Sequence, residues 1–125
     1  MNWTTVGATL MALGVALGAF GAHGLRDRLD AYSMSVYEKA VFYHFVNALG
    51  ILIIALLART QAISPAGQAR ACWLLFIGIL FFSGSLYALA ISGVRMLGAI
   101  TPIGGLAFIA GWVVLAYEAL RTPRA

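Results

Sequence analysis

Charge is the scarcest property of this sequence. Only 10% of its 125 residues are Asp, Glu, Lys or Arg, against about 25% in an ordinary soluble domain. Those four types are absent from Met1–Leu25, Ala40–Ala58, Ala71–Val94 and Met96–Tyr117. With 62% apolar residues and a mean hydropathy of +0.94, a soluble globular domain is excluded. Cysteine is almost missing too. Cys72 stands alone, so no internal disulfide can form, and its place inside an apolar run predicts a small buried apolar residue. The sequence also lacks HExxH, CxxC, paired membrane aspartates, a phosphate loop and any serine nucleophile with a base at recognisable spacing. It therefore offers no catalytic residue, no metal ligand set and no cofactor site, and an enzyme is not expected.

What remains are four uncharged runs, each meeting the requirement of roughly 20 apolar residues for crossing about 30 Å of hydrocarbon. Open strands cannot satisfy their backbone groups in lipid, and the alternation of a membrane barrel is missing. The expected fold is all-α: an integral membrane four-helix bundle of up-down topology, one transmembrane domain over residues 1–125 with helices at about 3–23, 36–58, 65–91 and 102–120. A secretory signal peptide is disfavoured for the first run, which has no basic n-region and is long enough to span.

Local signals set the expected ends. Trp3 reads as an interface anchor, and Gly24, after His23, as a left-handed C-terminal cap. Leu25–Ala31 reads as a short amphipathic interfacial helix, with Arg26 and Asp30 one turn apart and Leu25 and Leu29 opposite. Ser35 and Glu38 in SVYE form a capping box for the second helix. Ser64–Pro65 and Thr101–Pro102 repeat a cap followed by proline in the first helical turn.

Small residues predict where helices approach. Gly14, Gly18 and Ala22 repeat at four-residue spacing with Gly7, Met11 and Gly21 nearby, and Gly104, Gly105, Ala107 and Gly111 form a second smooth surface. In lipid such faces let backbones pack closely, either within one chain or between copies.

An up-down bundle collects most of the unusual polar residues on one side: His23, Glu38, Tyr43, His44, Asn47, Ser83, Ser85, Tyr87, Arg95 and Thr101. Arg59, Arg70, Arg121 and Arg124, with Glu118 the one acid, read as a rim of lipid-facing anchors on the other. Tyr43, His44 and Asn47 share a helix face. They either bridge helices or line a ligand site, because unpaired polar groups are costly in lipid. Glu38 reads as a cap that could pair with Arg95 across the loops. His23 marks the first helix's end, where the dipole and last-turn carbonyls favour it. Tyr87 and Trp112 are given no chemistry. Lysine plus arginine count four on each side, so the positive-inside rule does not orient the chain; the amino-terminal charge, together with first-loop charges engaged in structure, tips the expectation towards cytoplasmic termini.

GAFGAHGL (18–25), YHFVNAL (43–49), FSGSLYAL (82–89), GAITPIGG (98–105) and GW (111–112) together resemble the YgdD-like family, domain of unknown function 423. The resemblance implies a small four-helix protein, inner-membrane in bacteria, with no agreed biochemical activity. The family pattern falls on Gly18, Gly21, His23, Leu25, Tyr43, Ser83, Gly84, Ser85, Tyr87, Thr101, Pro102, Gly104, Gly105 and Trp112. Relatives commonly carry a histidine at the place of Asn47, whereas this chain has His44 one turn earlier.

The leading expectation is a noncatalytic multipass protein that associates in the membrane through its Gly/Ala helix faces. The alternative is a binding or transport protein for a lipid, quinone or small solute, using the polar cluster. Expected partners are membrane lipids and either further copies or a larger membrane complex, and no nucleic acid. The net charge of +4 suits lipid headgroups.

Overall fold

The computed structural model describes residues 1–122. Arg124, expected in the arginine rim, lies outside the described residues. The elements are α1 (Trp3–His23), α2 (Ala31–Arg59), α3 (Pro65–Gly78), a π-helical turn (Ile79–Ser83), α4 (Gly84–Ser92), a 3-10 turn (Arg95–Ala99) and α5 (Thr101–Arg121). No strand occurs among the described residues. Among the described residues four helices are long and apolar enough to cross a membrane: Trp3–His23, Ala31–Arg59, Pro65–Ser92 and Arg95–Arg121. This is the all-α bundle expected of the uncharged runs.

Helix ends follow the backbone's need for partners rather than every sequence signal. The Asn2 side chain caps α1 by accepting from Thr5 N at 3.0 Å, and Ser64 Oγ caps α3 by accepting from Gly67 N at 3.0 Å. The SVYE capping box does not form. Asp30 caps α2 instead, accepting from Ser33 N at 2.7 Å, and Ser35 Oγ donates to Tyr32 O within the helix. Asp30 starts the helix a turn earlier because its carboxylate is the stronger acceptor. The Ser33 backbone N–H, and after it the Ser33 hydroxyl, hold the Asp30 carboxyl below the usual carboxylate range.

The segment expected as an interfacial helix is a hydrogen-bonded turn, with Arg28 N and Leu29 N both donating to Leu25 O. Gly24 is right-handed at φ −89°. The left-handed glycine cap is Gly93, φ 73°, after α4. Thr101 opens α5 without capping it, because its hydroxyl is engaged by Ser85.

The glycines show the antiparallel register. Gly7, Gly14 and Gly21 of α1 sit against Leu52, Phe45 and Tyr37 of α2 in descending order. On the other side Gly104, Phe108 and Gly111 of α5 meet Phe82, Gly78 and Leu75 of the third span. Gly104 is the tightest of these, since a Cβ there would fall on the backbone of Phe82. Helix α1 packs chiefly on α2 and α5 chiefly on α3, while α1 and α5 share no substantial contact. The bundle is therefore open between its outer helices.

Two apolar cores lie along the bundle. One centres on Ile51, Ile54, Ala55, Ala71, Cys72, Leu75, Ile79 and Phe108. The other holds Leu25, Val36, Tyr37, Ala40, Leu86, Leu89 and Ala90. Cys72 is buried, as its position implies. Trp3, at the start of α1, is buried against the edge of Trp73, ring centroids 5.2 Å apart.

Candidate functional site

Between the two cores α2 presents His44 and Asn47, both buried. His44 Nε2 lies 2.7 Å from Leu10 O in α1. A carbonyl only accepts, so Nε2 carries the proton and donates. In neutral imidazole Nδ1 is then the acceptor, and it receives the Tyr87 hydroxyl at 2.9 Å. His44 thus joins α1, α2 and α4. Asn47 Nδ2 donates to Tyr43 O at 2.9 Å, while its Oδ1 accepts from Trp112 Nε1 of α5 at 2.9 Å. Trp112, assigned no chemistry from sequence, closes this bond. Ser83 Oγ donates to Ala40 O at 2.9 Å, and the Ser85 and Thr101 hydroxyls are 2.6 Å apart.

The predicted polar cluster therefore divides. His44 with Tyr87, Asn47 with Trp112, and Ser85 with Thr101 form separate bonds between helices. Tyr43 is 40% exposed and contributes its ring, 4.7 Å from Phe82 between centroids. His23, Glu38 and Arg95 are exposed and lie apart from the buried bonds. Glu38 and Arg95 do not pair, since the ion pairs among the described residues all involve Glu118. They line different clefts: Glu38 the one between α1 and α2, and Arg95 a smaller one of about 140 Å³ beside Asp30.

The small-residue faces are also largely occupied from within. Gly14 and Gly21 carry the rings of Phe45 and Tyr37, and Gly111 carries Leu75. Gly18 meets Val41 only at ordinary contact distance, and Gly105 is similarly loose against Phe82. Ala22 is exposed. Half-buried Gly18 and exposed Ala22, with Gly21, line the larger cleft, about 410 Å³, together with Arg26, Met34, Tyr37, Glu38 and Val41. Tyr37 is held in its wall by a hydroxyl bond to Leu17 O.

This cleft was not legible as a site, because Arg26 and Tyr37 come from segments whose contact is set by α1 packing on α2. Glu118 is the other surprise. It is 2% exposed, where a rim residue was expected, and it bonds Arg70 Nη2 at 2.7 Å. Its isolation as the one acid among arginines was the available signal.

The family model described as protein of unknown function (DUF423) matches residues 17–105, the stretch that carries the cleft, the His44–Tyr87 bond and the start of α5. The chain belongs to the DUF423 family. This DUF423 chain is 52% identical to a UPF0382 membrane protein of Staphylococcus epidermidis over 93% of both chains. It is 53% identical to a UPF0382 membrane protein of Staphylococcus haemolyticus over 88% of both. UPF0382 membrane protein YwdK of Bacillus subtilis is 44% identical, over 93% of this chain and 94% of the relative. No solved structure matches it. A membrane protein of a family without an assigned role is what these likenesses support.

Proposed function

We propose that this DUF423 chain is a noncatalytic protein of the bacterial inner (plasma) membrane that holds an amphiphile in the cleft between α1 and α2. The observation that carries this reading is the cleft's gradation. Charged Arg26 and Glu38 line it together with apolar Met34 and Val41 and the small residues Gly18, Gly21 and Ala22. Along α2, Val41 lies three residues beyond Glu38, about 4.5 Å deeper at 1.5 Å per residue, beside Gly18 of α1, while Met34 lies one turn towards the start of the helix. A molecule with a polar head and an apolar chain matches that order; a small polar solute or a rigid quinone ring matches it less well. The buried polar residues do not compete for the role, since His44 is bonded to α1 and α4 and Asn47 to its own helix and to α5.

Native mass spectrometry of gently extracted protein tests this. The wild type is expected to retain a lipid, and Ala22→Leu, which enlarges an exposed cleft residue, to lose it without loss of helicity. Equal retention by both would reject the cleft.

Self-association is a second reading, favoured by a different observation. Ala8, Ala12 and Ala16 are exposed on α1 at four-residue spacing, a small-residue face of the kind that packs helices together in lipid. Ala12→Leu should then weaken a dimer in crosslinking, and an unchanged dimer fraction, or a wild type that is monomeric, removes this reading.

A further inference from the structure

We infer that the occupant of the α1/α2 cleft is a zwitterionic phospholipid with a primary ammonium headgroup, its phosphate held by Arg26 and its ammonium by Glu38. The inference rests on the amphiphile reading above and adds the headgroup class.

Arg26 and Glu38 line the same cleft with opposite charges, yet they form no ion pair with each other, because the ion pairs among the described residues all involve Glu118. Two opposite charges facing one space without neutralising each other are complementary to a dipolar headgroup. A purely anionic head would satisfy Arg26 but bring its charge against the Glu38 carboxylate. A quaternary ammonium would be attracted to Glu38 but has no N–H to donate. A primary ammonium donates to the carboxylate directly, and charge-assisted bonds of this kind are the stronger ones. The neighbouring charges do not blur the pattern, since Asp27, Arg28 and Lys39 are exposed and do not line the cleft.

Depth agrees with the assignment. Helix α2 has 29 residues, about 44 Å at 1.5 Å per residue, whereas the hydrocarbon layer is about 30 Å thick. The excess places its charged opening turns, through Glu38 and Lys39, at headgroup level. Arg26 lies in the turn that joins α1 to α2, at the same end. Below them Gly18 and Val41 leave room for the start of an acyl chain.

The test is competitive lipid binding to the full chain in detergent, read by native mass spectrometry. Equal amounts of palmitoyl-oleoyl phosphatidylethanolamine, phosphatidylcholine and phosphatidylglycerol serve as probes. The wild type should prefer the ethanolamine lipid about tenfold, the value of roughly 1.4 kcal/mol from one charge-assisted bond. Glu38→Gln should bring ethanolamine down to the choline level and raise phosphatidylglycerol, and Arg26→Gln should weaken all three. Both positions are exposed, and unchanged helicity verifies each fold. Equal retention of the three lipids by the wild type, or an ethanolamine-to-choline ratio untouched by Glu38→Gln, overturns the headgroup assignment while leaving an amphiphile site. Retention of no lipid at all overturns the amphiphile reading and this one with it.

Discussion

Glu118, near the end of α5, is bonded through Oε1 to Arg70 of α3 at 2.7 Å, with its second carboxylate oxygen buried and unpartnered. Arg121 stands 3.8 Å from the same Oε1. A Cβ on Gly67 would lie 2.7 Å from Oε2, so a larger residue in the first turn of α3 would displace this carboxylate.

That arrangement predicts an asymmetry. Arg70→Ala leaves a buried carboxylate with only the more distant Arg121, and should cost about 2 kcal/mol, the scale of an uncompensated buried polar group. Glu118→Gln removes the buried charge together with the pair and should cost less. Thermal unfolding in one detergent compares them, and an Arg70→Ala midpoint equal to wild type would sink the ion pair as a fastening of α3 to α5.

His44 and Tyr87 should be energetically coupled. Tyr87→Phe leaves Nδ1 without its donor, and a double-mutant cycle with His44→Phe should return about 0.6 to 1.7 kcal/mol, the range of interhelical bonds in lipid. Nitrogen NMR of labelled histidine should show the Nε2–H tautomer. The Nδ1–H form would contradict the bond to Leu10 O.

Gly104 and Gly105 are adjacent in sequence but differ in tolerance. Gly104→Ala places a methyl on the Phe82 backbone and should cost about 1 to 3 kcal/mol as an overpacked contact. Gly105→Ala meets the Phe82 ring only at 3.7 Å and should be nearly neutral. Equal effects on the unfolding midpoint would mean that α5 does not sit this close to the π-helical turn.

Asp30 gives a pH dependence of known sign. Its carboxyl is lowered in the folded chain by the Ser33 backbone N–H and then the Ser33 hydroxyl, so its stabilisation is complete above the ordinary carboxylate range. It is lost as pH falls from that range through the lowered folded value. Asp30→Asn keeps a capping oxygen and should flatten the acid limb of the stability curve. An acid limb identical to wild type would place the titrating group elsewhere.

These residues show where sequence reading reaches its limit. His44 and Asn47 were recognisable as polar residues in lipid, but whether they bind a ligand or join helices depends on what faces them, and the faces belong to α1, α4 and α5. Ser35 and Glu38 satisfied a local capping pattern, which lost to a carboxylate five residues earlier. Glu118 read as a rim acid because its partner Arg70 lies 48 positions away.

The sequence by itself determined that the chain lives in a membrane and how many times it can cross. Those outcomes follow from the local cost of exposing charge and backbone to hydrocarbon, which each segment carries alone. Only the tertiary structure decided that Gly14, Gly21 and Gly104 are used within the chain, that Glu118 is buried, and that Arg26 and Glu38 share a cleft. Each of these depends on the antiparallel register of one helix on another, which side-chain packing fixes and no single segment encodes.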